Sequence, residues 1–401
     1  MRKIFFIGGG FYGEIEKYVL ENSYGVIQNA ADTFQKNLLG GMRQQSNEEV
    51  VVLNFPFVGS YPKRFKKIWF KSFISDSVLS YGFFNLTGFK LFSRFISVIK
   101  SIFDVKPSNE SCIIIYSVHL PFLAAVALYK KVFQSNIKVI LIIPDLPEYM
   151  SSSNGYLIRK LKFIQSKILK SCYKSVNGYV LLSKHMRERI PANIEQYVVV
   201  EGVSSLSAAD EKNHNHIDKV DLYRRTIFYS GTLDSRYGIT ELIDAVERLS
   251  MDVELLVCGE GDSKEYILDA SKRTSRIKYL GQLPRKEVLQ IQKNCTLLIN
   301  PRSDVGQFTK YSFPSKIIEY MASGRPVLMY ALPGIPSEYY EYCFRISDGG
   351  VGGIIEALEN VLSMNDAALN DMGTRAKNFV LNEKSGLKQS QKIFNLMERL
   401  K

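Results

Sequence analysis

Cysteine is sparse and scattered in this chain. Cys112, Cys172, Cys258, Cys295 and Cys343 form no CxxC pair. That argues against a zinc site or a disulfide framework and fits a reducing compartment. Long apolar runs are also missing. The opening Met-Arg-Lys-Ile-Phe-Phe-Ile-Gly-Gly-Gly has too short an apolar run for a signal peptide and reads as a first buried strand. Cys112–Tyr129 is largely apolar, but His119 and Pro121 interrupt it. A membrane span needs about 20 apolar residues, so strand, turn and helix are expected there, and no transmembrane segment. No G-x-S-x-G, Walker A or H-E-x-x-H pattern occurs. Nor does a D-x-D carboxylate pair of the kind that holds a metal-bound nucleotide, and no metal site is expected. No repeat or low-complexity tract is visible.

Acid is short in one half only. Residues 1–200 hold 26 Lys and Arg against 13 Asp and Glu, whereas residues 201–401 hold 26 against 27. The excess concentrates in Pro62-Lys63-Arg64-Phe65-Lys66-Lys67-Ile68-Trp69-Phe70-Lys71 and from Arg159-Lys160-Leu161-Lys162 through Lys174. Cations interleaved with Phe65, Trp69 and Phe70 suit an anionic membrane surface, with Trp69 and Phe70 inserting. Solvated helix faces are the plainer alternative. Nucleic acid is a rival partner for such charge, but no helix-turn-helix, zinc-finger or RNP pattern supports it.

A chain of 401 residues suits two domains, and 46% apolar with 23% charged residues is ordinary for a soluble globular protein. Candidate strands are Lys3–Ile7, Val50–Phe55, Cys112–Val118, Lys138–Ile143 and Asn177–Leu182. Candidate helices include Asn29–Met42, Leu86–Ile102, Pro121–Phe133 and Leu157–Ser175. After a polar break at Ser204–Asp221 the alternation restarts. Strands are expected at Thr226–Tyr229, Val253–Cys258, Ile277–Leu280, Thr296–Asn300 and Pro326–Tyr330. Helices are expected at Gly238–Ser250, Asp262–Ser271, Arg285–Lys293 and Pro314–Ser323, with more in Gly353–Leu400. Strand-helix alternation predicts mostly parallel sheets covered on both faces, here as two Rossmann-like halves.

Gly8-Gly9-Gly10-Phe11-Tyr12-Gly13 fits G-x-G-x-x-G after a strand. A dinucleotide fold needs a helix at once and an acid ending the second strand. Here the stronger helix waits until Asn29, and the second strand ends in Asn54. The better reading is a flexible glycine loop at the ligand edge of the first sheet, where Gly9 and Gly10 contact a phosphate or the acceptor. His119 ends a buried strand at the same edge. Asp145 and Glu148 bracket a Leu-Pro pair after the next strand; holding acceptor hydroxyls and capping the next segment are equally open to them.

Phe313-Pro314-Ser315-Lys316-Ile317-Ile318-Glu319-Tyr320-Met321-Ala322-Ser323-Gly324-Arg325-Pro326-Val327 opens a short helix after a turn. A helix N-terminus near Ser315 can hold a phosphate, and Glu319 lies where it can accept from a ribose beside it. Lys316 suits a pyrophosphate charge, and Arg302, after Asn300-Pro301, suits bidentate phosphate contact. This segment resembles the donor-nucleotide motif of the GT-B glycosyltransferases, especially the retaining family 4, or group 1, enzymes of bacterial capsule, O-antigen and exopolysaccharide synthesis. The resemblance covers nearly the whole chain in order. It is specific at Phe313–Val327, moderate at Tyr229–Ile239 and weak before residue 110.

The resemblance implies an α/β GT-B fold of two Rossmann-like domains facing a cleft. Residues 1–204 would hold the acceptor and 205–380 the nucleotide sugar, and 381–401 would form a helix packing back toward the first domain. It implies transfer of a hexose-like unit from a nucleoside-diphosphate sugar, with retention and without metal or other cofactor. The acceptor would be a saccharide, suited to a lipid link, at the inner face of the plasma membrane. His119 matches a histidine that contacts the transferred sugar or supports the reacting groups. Gly231 lets the backbone approach the ligand, and Gly259 and Gly261 form a turn near the nucleobase. Thr232 stands where the family has Arg, and Tyr237 where it has Lys, with Arg236 beside it as a candidate cation. Tyr311 replaces the first of two glutamates and Glu319 matches the second. A sugar-nucleotide epimerase and a non-catalytic sugar- or nucleotide-binding protein are the alternatives.

Overall fold

The computed structural model describes residues 3–25, 27–45, 48–75, 77–146, 156–190, 195–204, 225–304 and 306–400, the side chains of 156–162 and 307 excepted. Glu148, the side chains of Arg159, Lys160 and Lys162, and the polar break beyond Ser204 lie outside the described residues. The chain divides into two compact units, Met1–Val203 with Gly386–Lys401, and Ser204–Ser385.

The first unit is built on strands β1 (Lys3–Gly8), β2 (Glu49–Asn54), β3 (Trp69–Phe70), β4 (Phe73–Ser75), β5 (Val78–Ser80), β6 (Phe83–Phe84), β7 (Cys112–Tyr116), β8 (Lys138–Ile143), β9 (Gly178–Leu181) and β10 (Tyr197–Val199). Helices α1 (Glu14–Asn22), α2 (Asn29–Gln45), α3 (Lys90–Val105), α4 (Leu120–Val132) and α5 (Tyr156–Tyr173) connect them. The main sheet runs β10-β9-β8-β7-β1-β2-β5-β4, with β3 and β6 forming a separate antiparallel pair. Neighbours in the main sheet are parallel except β4 against β5. Unbroken apolar runs such as Cys112–Tyr116 are what a parallel strand covered on both faces requires, and all five of those residues are buried.

The second unit holds β11 (Arg225–Ser230), β12 (Val253–Cys258), β13 (Ile277–Tyr279), β14 (Leu297–Asn300), β15 (Val327–Tyr330) and β16 (Phe344–Ile346). Its helices are α6 (Ile239–Arg248), α7 (Lys264–Arg273), α8 (Arg285–Asn294), α9 (Lys316–Ala322), α10 (Gly350–Leu362) and α11 (Asp366–Glu383). The sheet runs β13-β12-β11-β14-β15-β16 and is wholly parallel. The expected α/β class with two parallel sheets is the one adopted. Strand order reverses between β1 and β7 in one sheet and between β11 and β14 in the other. Ligands of open α/β sheets bind beyond the carboxyl ends at such points.

The last helix, α12 (Gly386–Arg399), belongs to the first unit. Its Ile393, Leu396 and Met397 join Leu38, Leu39 and Met42 of α2 in the core. The helices touch backbone to backbone where they cross. A Cβ on Gly41 would lie 2.0 Å from the Gly386 carbonyl.

One expectation needs correction, and one stretch carries elements that the sequence did not announce. The first helix does not wait for Asn29. It starts at Glu14, because Ile15 and Val19 bury one helical turn apart among Phe11, Phe65, Phe70 and Phe83, and that packing overrides a weak local pattern. The stretch between Phe55 and Leu86 carries β3 to β6, strands of two or three residues that are too short to leave a period.

Helix α3 is inverted. Phe89, Phe92, Ile96 and Phe103, at spacings of three, four and seven, face outward and are exposed, as is Leu91. Inward lie Arg94, Ser101, Val98 and Ile102. Ser93 Oγ accepts from the Phe84 amide at 2.7 Å, and Ser97 Oγ donates to the Gly82 carbonyl at 2.7 Å.

Candidate functional site

In the second unit a hydrogen-bonded group forms at the tip of the central strand β11. The Tyr320 hydroxyl accepts from the Ser230 amide at 2.8 Å and donates to the Ser230 carbonyl at 3.0 Å. This ties α9 to the last residue of β11. Buried Gln292 donates to Ser230 Oγ at 3.3 Å and to Glu319 Oε1 at 2.9 Å. Lys316 Nζ donates to the same Oε1 at 2.9 Å. Oε2 has Arg285 Nη2 at 3.6 Å, beyond hydrogen-bond range, and so keeps capacity to accept from ligand hydroxyls. Burial pushes the Glu319 carboxyl up, but Lys316, Gln292 and Arg285 outweigh it and hold it below its ordinary value. Lys316 and Arg285 thus place two cations beside the carboxylate.

Sequence reading found Lys316 and Glu319 but missed Tyr320, Gln292 and Arg285. Arg285 and Gln292 stand two turns apart on one face of α8, and that spacing was the available signal. The phosphate role expected of the α9 N-terminus shifts in weight. Helix α9 has seven residues, and exposed Ser315 makes no side-chain cap. Its small terminal charge is outranked by Lys316 and Arg285.

The loops after β11, β12 and β14 press on one another. A Cβ on Gly259 would lie 1.8 Å from the Gly231 carbonyl oxygen, and one on Gly261 would lie 2.3 Å from that of Leu233. Loop contact is thus sufficient reason for both glycines. Gly231 itself donates to the Cys258 carbonyl at 3.0 Å. Thr232 is exposed, and its carbonyl accepts from the Tyr229 hydroxyl at 2.7 Å. Arg302 is buried after β14, 2.7 Å from Ser312 Oγ and 4.5 Å from the Phe308 ring centroid. Tyr311 is buried. Arg236 is not brought to this group. Its exposed guanidinium grips Asp234 through Nε at 3.0 Å and Nη2 at 2.5 Å.

At the ligand edge of the first unit, the glycine loop is tied rather than flexible. The Gly9 amide donates to Gln35 Oε1 at 2.9 Å, and the Phe11 amide donates to Asp32 Oδ1 at 2.7 Å. The Gly10 carbonyl accepts from Asn54 at 3.0 Å. A carboxylate on the loop disfavours phosphate there. Cations gather instead beside His119, which follows β7. Lys90 and Arg94, one turn apart on α3, donate to the carbonyls of Val58 and Pro56. Arg94 Nη1 lies 3.4 Å from His119 Nε2, and its guanidinium stacks 4.4 Å from the Phe83 centroid. Burial and Arg94 push the Lys90 ammonium down to about 6. Burial brings Arg94 down to about 9, so it stays charged at neutral pH. Burial, Arg94 and Lys90 together hold His119 well below its ordinary value, as a neutral ring. Asp145 is exposed at the end of β8.

The basic segment is only partly what it promised. Phe65 and Phe70 are fully buried with Phe83 and cannot insert anywhere. Lys63, Arg64, Lys66, Lys67 and Lys71 are exposed, together with Ile68, Trp69 and Ile74. Trp69 pairs with Phe84 across β3 and β6. Phe84 meets Phe89 at 5.7 Å and Phe89 meets Phe92 at 5.4 Å, so the apolar surface continues onto the outer face of α3. Among the described residues no helix is long and apolar enough to cross a membrane, and no three His, Cys, Asp or Glu side chains gather to hold a metal.

Residues 224–364 match the family model described as Glycosyl transferases group 1. The second unit carries a group 1 glycosyltransferase domain. The match includes Gly231, Arg302 and the whole Glu319 group, and the first unit lies outside it. Among solved structures, sucrose-phosphate synthase from Thermosynechococcus elongatus superposes with a TM-score of 0.69 at 13% identity, covering 100% of this chain and 99% of that one. Anabaena HepE in complex with UDP-glucose gives 0.63 at 13%, covering 100% of both. The lipopolysaccharide outer core galactosyltransferase WaaB gives 0.61 at 14%, covering 99% of both. At such identities the likeness shows the fold, which is GT-B. No curated protein matches the chain in sequence.

The depressed Lys90 has a consequence for stability. Between about 6 and its ordinary 10.5 the unfolded chain binds a proton that the folded chain does not. The Lys90 contribution therefore rises as pH rises through that window and is lost as pH falls toward 6. Thermal midpoints of wild type and Lys90→Met, compared from pH 6 to 9, should show the variant's advantage largest at pH 6 and shrinking upward.

Proposed function

We propose that this protein transfers a sugar, with retention, from a nucleoside-diphosphate sugar to a lipid-linked saccharide during cell-surface polysaccharide synthesis. The observation that carries the reading is the Glu319 group. An open carboxylate oxygen suits ribose hydroxyls, and Lys316 and Arg285 suit a diphosphate beside it. The solved HepE complexes contain UDP, glucose or UDP-glucose, which supports a donor of that class. Retention and the hexosyl class rest on the resemblance to family 4. In the reaction the bond between the anomeric carbon and the diphosphate oxygen breaks, and the acceptor oxygen bonds to that carbon on the same face. The acceptor proton leaves with the diphosphate, whose growing charge the two cations stabilise.

The acceptor's lipid link and a station on the cytoplasmic leaflet draw support from the first unit. Trp69, Phe89, Phe92, Ile96 and Phe103 are exposed, half-buried Phe84 joins Trp69 to Phe89, and five exposed cations lie on the segment that carries Trp69. A contiguous exposed apolar patch marks an interaction site, and cations at its border match anionic lipid.

Glu319→Ala should weaken nucleotide binding by about tenfold or more, the cost of leaving ligand donors unpaired at roughly 1–3 kcal/mol. Calorimetry on folded variant checks this; unchanged affinity would move the donor site elsewhere. Release of free nucleoside diphosphate only when an acceptor is present separates transfer from the isomerisation an epimerase would carry out. With lysine and arginine to hold the leaving group, turnover should survive EDTA. Loss restored by magnesium or manganese would overturn that chemistry.

Lys63, Arg64, Lys66, Lys67 and Lys71 should each contribute about 1 kcal/mol near an anionic leaflet. Changing all five to Gln should abolish sedimentation with anionic liposomes, as should Phe92→Ser with Ile96→Ser, while nucleotide binding stays intact. A wild type that ignores such liposomes at low salt sinks the membrane reading.

A further inference from the structure

Among the described residues no acid pairs with the buried Arg94 or the half-buried Lys90 of the first unit. Among the described residues their polar contacts are backbone carbonyls and the His119 ring, and Arg94 is 2% exposed. Arg94 Nε and His119 Nδ1 are buried with no hydrogen-bond partner. Burying a charge without a counter-charge is costly, and unpartnered buried donors add to the cost. The cluster stands at a chosen place. His119 follows β7, Pro56 and Val58 follow β2, and the Phe57 amide donates to the Gly9 carbonyl after β1 at 2.9 Å. These are the carboxyl ends of strands flanking the point where sheet order reverses. The rings of Phe57 and Phe122 stand 5.8 and 4.5 Å from His119 and wall the cluster.

We infer that Lys90, Arg94 and His119 form an anion site that takes the phosphate of the acceptor, a site separate from the donor group around Glu319. The identity of the anion as acceptor phosphate rests on the proposed transferase; the anion site itself does not. A dianion supplies the missing counter-charge. Its oxygens accept from the Lys90 ammonium, from Arg94 Nε and from a ring nitrogen of His119. Bound charge also raises the proton affinity of Lys90 and His119, so binding takes up protons. No bond is made or broken. The tied glycine loop, with Asp32 on the Phe11 amide, leaves this cluster as the positive part of the edge. Lys90 and Arg94 lie on the same helix whose outer face is apolar, which places phosphate chemistry on the inner side of a lipid-facing element.

Imidazole NMR tests this directly, since the chain has four histidines. Inorganic phosphate added to the full chain at pH 8 should move the His119 signal saturably and raise the pH at which it titrates. Lys90→Gln should weaken that response about tenfold or more, the loss of one charge-assisted hydrogen bond. Glu319→Ala should leave it unchanged, which separates this site from the donor site. An isoprenyl phosphate in detergent and a hexose phosphate in solution then compete against inorganic phosphate. Stronger displacement by the first assigns the phosphate to a lipid, and by the second to a soluble acceptor. A His119 signal that phosphate leaves still, or a response that Lys90→Gln spares in full, overturns the site. The titration shift in wild type decides the matter even if Lys90→Gln fails to fold. Phosphate binding without any turnover would count against the transferase and leave the anion site standing.

Discussion

One hydroxyl holds the donor side of this molecule in order. Tyr320 both receives the Ser230 amide and gives to the Ser230 carbonyl, at the residue where the central strand stops. A strand end normally leaves such groups to water or a turn. Here a buried phenol closes them and fixes α9 against the strand in position and rotation. Glu319, one residue earlier, is thereby aimed, and Gln292 and Lys316 lock the oxygen that faces them. Burial pushes the Tyr320 hydroxyl far above its ordinary value, so it stays a neutral, two-way partner across the working range.

The first unit obeys the opposite economy. At its ligand edge Arg94 and Lys90 pair with no acid among the described residues, and helix α3 turns polar atoms in and aromatic rings out. Both oddities belong to one helix. A helix that turns serines and an arginine inward needs partners for them, and the Pro56 carbonyl after β2, the Gly82 carbonyl and the Phe84 amide of β6 provide them. Local rules broken together at one element are the mark of function rather than of folding.

The sheets were legible because parallel strands are continuous apolar runs. Val253–Cys258 and Lys138–Ile143 are placed to the residue, and helix ends move by one to four positions where capping is weak. The Glu319 helix was legible because its chemistry is contiguous in sequence. Lys90 and Arg94 were not, since they look like surface cations on an amphipathic helix and only the tertiary fold shows which face is inside. Phe65 and Phe70 misled for the same reason: residues alternating with lysine are buried by a two-stranded ribbon too short to announce itself. Gln292 and Arg285 were missed because α8 meets α9 through space, 27 residues away from Glu319 for the first of them.

The return of α12 to the first unit sets an order of events during synthesis. Ile393, Leu396 and Met397 fill the core beside α2, more than 340 residues downstream of Leu38 and Leu39. Until they leave the ribosome, α2 keeps an uncovered apolar face, with Gly41 waiting for Gly386. The second unit, contiguous from Ser204 to Ser385, has all its strands before that moment. The half begun first is thus the half completed last, and a chain stalled before Gly386 would pair one finished domain with one that a chaperone must shield.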